Sequence, residues 1–322
     1  MKKLILFFSF IFLFSGSLSA KEIKIALLAP EGSTWMKLMH EWDKEVREKT
    51  QNKVGFKFYP GGVMGDEKDV LRKMRIGQLD AGAFTGLGGG TVLSEVRVLE
   101  LPFLFDTHEQ ATKVRRALAP QFEKDFLKKG YVVLGWAENG FVYIFSKKPV
   151  RSEADLKIQK MWAWTGDPLV EQMYSTFQIT PVSLAMPEVL PSLQTNLVEG
   201  VYCPPLACLA TQWFTAVSYL TDFPLAYASG MVLLTQKTWG ELSVEEKKVL
   251  KETGAKYTEE LNQRITQDNK EAFALLIQNG IKKVELPDSE KEAIRKKSLE
   301  VHKNLSEKLY SPALLQKVRD LL

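Results

Sequence analysis

Two hydrophobic periods alternate along the first part of the chain. Ile23 to Leu28 is a short apolar run, and behind it Ser33 can cap a helix in which Trp35, Leu38, Met39, Trp42 and Val46 recur at helical spacing. Val54, Phe56 and Phe58 then alternate with polar residues, the period of a half-buried strand. Pro60-Gly61-Gly62 makes a turn, Asp66 to Ile76 a helix closed by Gly77, and Leu79 to Thr85 a third strand. Strand and helix in alternation predict a parallel sheet with covering helices. Asp106 and Glu109 form a capping box ahead of a helix ending at Gly130, and Tyr131–Trp136 and Phe141–Ser146 read as two strands.

A second unit begins near Lys147. Within it Asp167–Phe177 is helical, Ile179–Ser183 extended, Pro187–Leu197 helical and Val198–Tyr202 extended. Ser243 and Glu246 form another capping box, and the pattern beyond it stays helical to Gln278, a length of about 50 Å unless Gly254 breaks it. Such a helix could brace two domains. The tail from Asp288 onward is polar and helical.

The length of 322 residues gives a prior of about two domains. A hydrophobic share of 45% with 25% charged residues fits a folded globular body and not a disordered or polytopic membrane protein. The formal charge of +4 leaves no electrostatic footprint for nucleic acid or an anionic membrane. Lys2 and Lys3, the apolar run from Leu4 to Phe14 and the small residues that follow read as a signal peptide over residues 1–20, cleaved near Ser19 or Ala20. The expected location is the periplasm.

Catalytic chemistry is thin. The three histidines, His40, His108 and His302, lie on separate predicted helices, and no metalloprotease helix, nucleophile elbow or phosphate-binding loop occurs. No metal or cofactor is expected. Gly86-Leu87-Gly88-Gly89-Gly90 follows a strand and reads either as a tight loop or as backbone approaching a ligand. Cys203 and Cys208 are too few to hold a metal, and either a local disulfide or buried free thiols fit them. Trp162 and Trp164 alternate in an extended segment, so they share one face, as core packing or as a pocket wall.

Four segments together resemble the solute-binding subunits of TRAP (tripartite ATP-independent periplasmic) transporters, the DctP-type family. They are Tyr59-Pro60-Gly61-Gly62-Val63-Met64-Gly65-Asp66-Glu67, the stretch Leu99–Phe105, Lys148-Pro149 with Asp155-Leu156-Lys157, and Pro181 to Gly200 with its Glu188-Val189 and Val198-Glu199-Gly200. Their order and spacing match over nearly the whole mature chain. The resemblance implies an α/β, two-domain, periplasmic-binding-protein-like (type II-like) fold with a long bracing helix. It also implies a monomer that closes on one small molecule and delivers it to small and large TRAP membrane subunits. On this reading residues 21–146, with returning segments from about 226–280, form domain I, residues 147–225 form domain II, and residues 281–322 pack on the body.

The same resemblance marks where the chain departs from the family. Trp162 stands where members typically carry the arginine that pairs a ligand carboxylate, Val142 follows the Gly-Phe where a second arginine is common, and Cys203 replaces a frequent asparagine. Thr85 is neutral where some relatives are acidic, and Met186 takes an aromatic position. The implied ligand-binding residues are Leu28, Trp35, Thr85, Val142, Trp162, Met186, Cys203 and Phe223, a wall from which charge has been removed. A hydrophobic ligand ranks first, ahead of other neutral or cationic molecules. The competing readings are a hydrophobic-ligand carrier or protein-interaction scaffold uncoupled from any TRAP permease, and third an enzyme with Cys203 as nucleophile.

Overall fold

The computed structural model describes residues 20–322, so the expected signal peptide lies outside the described residues except for Ala20. The chain opens with β1 (Lys21–Ala26), α1 (Thr34–Lys49) and β2 (Val54–Tyr59), and Ser33 caps α1 through its hydroxyl as its position predicts. Next come α2 (Glu67–Arg75), capped by Asp66 and closed at Gly77 with φ +75°, and β3 (Ala81–Thr85). The glycine stretch is a helix, α3 (Gly86–Val92), and not a loop. Its glycines are there for close packing: a Cβ on Gly86, Gly88, Gly89 or Gly90 would collide with Glu100, Phe84, Met231 or Arg97 at 2.1–2.6 Å.

A 3-10 segment (Ser94–Glu100) leads to α4 (His108–Lys128), whose capping box is Thr107 with Gln110, one residue later than the sequence suggests. Asp106 is drawn away to Arg295, at 3.3 Å. The two strands expected over 131–146 are one, β4 (Tyr131–Ser146). Then follow α5 (Glu153–Lys157), β5 (Trp162–Trp164), α6 (Pro168–Thr176), β6 (Val182–Leu184), a 3-10 turn at Met186–Glu188 and α7 (Val189–Gln194), shorter than the expected helix because Asn196 turns left-handed at φ +59°. After β7 (Gly200–Cys203) and α8 (Pro205–Ala210) runs β8 (Tyr219–Thr235), then α9 (Gln236–Glu241) and α10 (Val244–Gln278). The chain finishes with β9 (Lys282–Val284), α11 (Asp288–Leu305) and α12 (Pro312–Asp320).

The main sheet is mixed, where the alternation of elements predicted a parallel one. Its order is β2-β1-β3-β8-β4-β7 with β9 on β8. Only β2-β1-β3 and the β8–β9 pair are parallel, because β8 returns antiparallel to both β3 and β4. The long strands β4 and β8 run side by side through both halves of the molecule, with register shifts between Val133 and Gly135, Glu138 and Gly140, and Val142 and Ile144. Each shift bends the pair and re-aims its side chains.

Helix α10, 35 residues and about 52 Å long, braces this crossing. Gly254 does not break it. A Cβ there would lie 2.3 Å from the Leu134 carbonyl, and one on Gly135 would meet Thr258 at 2.3 Å, so the two glycines let helix and strand touch. Asn262 accepts from the Glu138 amide at 2.8 Å and donates to the Trp136 carbonyl, while Asn269 donates to the Asn139 carbonyl at 3.0 Å. Apolar clusters cover both sheet faces, one built around Phe122, Phe126 and Leu118 of α4, the other around Met36, Trp42 and Val46 of α1.

Candidate functional site

Between the two domains lies a cavity of about 590 Å³. Its floor is the β4–β8 crossing, one wall is the loop after β1 with the start of α1, from Leu27 to Trp35, and the other is made by β5, α6 and α8. The structure places Leu28, Trp35, Thr85, Val142, Trp162, Met186, Cys203 and Phe223 all on its lining. Trp162 joins the two readings of the tryptophan pair: it is 1% exposed and part of a packed aromatic cluster, yet it lines the cavity. Its ring stacks on Tyr202 at 4.8 Å and 18°, meets Trp213 edge-on at 5.3 Å, and lies 5.7 Å from Trp164. Its indole N–H donates to the Leu184 carbonyl at 3.0 Å, so the polar edge is satisfied and the faces are left for packing.

The expected removal of charge from the wall is incomplete. Arg97, Glu100, Asp167 and Glu67 also line the cavity, and all four are buried. Arg97 reaches across the domains: one terminal nitrogen donates to both carboxylate oxygens of Asp167 at 2.9 Å, the other meets Glu100 at 3.0 Å. Burial works against the Arg97 charge, but Asp167 and Glu100 outweigh it and hold the guanidinium above its usual pKa. Burial pushes Glu100 up despite Arg97 and the Ser229 amide, which donates to it at 2.8 Å. Two further bonds cross the cleft close by, from the Trp164 indole to Asp66 at 2.7 Å and from Lys68 to the Gly166 carbonyl at 3.2 Å.

Thr85 works as the cap of α3, accepting from the Leu87 amide, and it also holds Glu67. The Glu67 carboxyl accepts from the Thr85 amide at 2.6 Å and the Gly88 amide at 2.7 Å, and pairs with the Thr85 hydroxyl at 2.9 Å. Burial pushes it up to about 8, against the pull of these donors. Beneath the crossing, Glu138 accepts from Arg115 at 2.9 Å, Thr112 at 2.9 Å and the Tyr227 hydroxyl at 2.7 Å.

Cys203 and Cys208 are buried free thiols. Burial and the neighbouring Cys208 push the Cys203 thiol well above its usual value, which leaves no thiolate to act as a nucleophile. Among the described residues no group of three metal-binding side chains comes together. Sequence reasoning missed Arg97 and Glu100, although a basic and an acidic residue three apart inside the apolar run Val96–Leu101 signal a buried ion pair. Asp167 was legible only as a helix start.

A family model described as "Bacterial extracellular solute-binding protein, family 7" (DctP) matches residues 25–309. A solute-binding protein of Chromohalobacter salexigens is 24% identical over 218 residues, 67% of this chain and 65% of that protein, so the matched stretch spans about two thirds of such relatives. The 2,3-diketo-L-gulonate-binding periplasmic protein YiaO of Escherichia coli is 23% identical over 310 residues, 95% of this chain and 88% of the relative. In fold, the chain is similar to a TRAP periplasmic solute-binding protein of Haemophilus influenzae with bound L-gulonate, at a TM-score of 0.87 and 20% identity, covering 94% of this chain and 99% of that one. The match over most of the chain and the two α/β domains with their long helix agree: this chain belongs to the DctP family of bacterial extracellular solute-binding proteins, the non-enzymatic periplasmic receptors of TRAP transporters.

Proposed function

We propose that this receptor takes up a neutral, predominantly apolar solute and hands it to small and large TRAP membrane subunits, closing its domains at the β4–β8 crossing. The observation that carries the reading is the state of Arg97. It is the buried cation of the cavity wall, and both of its terminal nitrogens are taken by Asp167 and Glu100, which leaves only its buried Nε–H without a partner. The other cation on the lining, Lys37, is exposed at the mouth. An ionised ligand carboxylate would meet a guanidinium already paired with two carboxyls, so its burial would go largely uncompensated, at a cost of several kcal/mol. Leu28, Trp35, Val142, Trp162, Met186 and Phe223 offer it only apolar surface, with Thr85 and Cys203 at the wall already engaged or neutral. The domain limits that go with this reading are residues 21–146 with a return over about 226–280, and residues 147–225.

YiaO is named for a sugar acid and the Haemophilus influenzae receptor holds one, so the test is direct. Calorimetry with succinate and L-gulonate should give no measurable heat on the unmodified protein, and small molecules extracted from natively purified receptor should contain a neutral apolar compound by mass spectrometry. Trp162→Arg should lose that compound. Tight binding of either acid by the unmodified protein overturns the proposal.

A further inference from the structure

An apolar cluster shared by the second domain, the end of β4 and α11 fronts the cavity. Its buried members include Val150, Met161, Phe177, Ile179, Leu286 and Ile294, and every buried member of the cluster lines the cavity. Its members are no more than 7% exposed, yet each lines the cavity, so the cavity reaches into this cluster as an apolar recess; close-packed interiors leave few such voids, and apolar ones stay dry and take up apolar guests. It is closed on the far side by α11, which contributes Ile294.

Helix α6 connects this hollow to the cleft. Its cap Asp167 holds Arg97, and Leu169, Val170, Met173, Tyr174 and Phe177 line the cavity along one face of the helix. The Tyr174 hydroxyl is turned away from that task, donating to the Trp162 carbonyl at 2.7 Å. From Asp167 to Phe177 the helix rises about 15 Å. At about 30 Å³ for each water-sized group, the cavity's 590 Å³ accommodates roughly twenty non-hydrogen atoms. Space of that length and lining matches an elongated guest and is wasted on a compact one.

We propose that the ligand is an uncharged amphiphile whose hydrocarbon chain lies along α6 and ends in the hollow, with a compact polar head at the Arg97–Asp167 end. The inference rests on the reading of an apolar cargo and adds its shape. The test titrates the purified protein with straight-chain 1-alkanols of increasing length, by calorimetry, alongside Val150→Phe and Ile294→Phe, which fill the hollow from two different elements. In the unmodified protein affinity should rise about fourfold per methylene. In both variants it should level off at shorter chains, at least tenfold weaker for the longest, while the variants melt at or above the unmodified protein because they occupy empty space. Affinity independent of chain length, no alkanol binding, long-chain binding undiminished in both variants, or variants that melt lower as overpacked cores do, overturns the hollow. Tight succinate binding would instead sink the apolar-cargo reading itself, so the two failures are told apart.

Discussion

Arg97 and Arg115 are both buried guanidiniums held by a carboxylate at 2.9 Å. Their partners lie in different places. Arg115 on α4 grips Glu138 on β4, which Tyr227 on β8 also grips, so all three elements are tied within one body. Arg97 grips Asp167 seventy residues away, on the opposite side of the cleft. Opening the cleft leaves the first pair untouched, whereas it separates the second and lets water reach both ions. The same chemistry therefore contributes to global stability in one place and to the equilibrium between open and closed forms in the other.

The largest expected effect breaks the pair beneath the crossing. Glu138→Ala strands the Arg115 charge and removes the acceptor of Thr112 and Tyr227, and losing one partner of a buried pair costs about 3–5 kcal/mol. Denaturant unfolding should show that loss with or without ligand. Arg97→Met should cost clearly less, since Glu100 and Asp167 can separate into water as the domains open. Equal losses in the two variants would remove the distinction drawn between them.

Next in size is the effect on closure. Asp167→Asn keeps an acceptor for the Leu169 amide, so α6 stays capped, but it removes the charge that Arg97 reaches for. Hydrogen bonds to charged groups are worth about 1.5–3 kcal/mol, so the ligand should bind at least tenfold more weakly. The radius of gyration of the ligand-free protein, measured by X-ray scattering, should rise. The freed guanidinium should also begin to bind succinate. A variant with unchanged radius and unchanged affinity would show that Asp167 serves α6 alone.

Why Arg97 escaped a reading of the sequence while Trp162 did not is a matter of what periodicity encodes. Trp162 and Trp164 share a face because strand side chains alternate, and that holds whatever surrounds them. The cleft-facing set from Leu28 to Phe223 was reachable through the family resemblance, which places residues by order along the chain. An ion pair between residues seventy positions apart has no local pattern; only the oddity of charge inside Val96–Leu101 hints at it. Glu138-Asn139-Gly140 misled in the opposite direction. Polar residues ending in glycine look like a turn between two strands, but here they are the bulge where β4 crosses, with Asn139 donating to the Ser229 carbonyl and Gly140 at φ +98° beside Asn269. The glycines of α3 likewise read as loop because composition cannot show that each lies against a particular side chain.

Glu67 sharpens the comparison by giving the third case, a buried carboxyl with no cation on it. Its neighbours are donors from Thr85 and Gly88 and the acid Asp66, so nothing offsets burial with opposite charge. Held at about 8, above the ordinary 4.5, it keeps a proton in the folded chain that the unfolded chain has already released between those two values. Its contribution to stability is therefore complete below the lower value and is lost as pH rises through the upper one, at a slope of up to about 1.4 kcal/mol per pH unit. Glu100 is raised too and adds slope of the same sign, so the readout must be a difference between proteins. Glu67→Gln lowers stability overall, because its amide would set a donor against the Gly88 N–H, yet it cannot titrate. Unfolding free energies between pH 5 and 7.5 should therefore decline less steeply in Glu67→Gln than in the unmodified protein, and parallel declines would mean that the three donors hold Glu67 ionised in the fold.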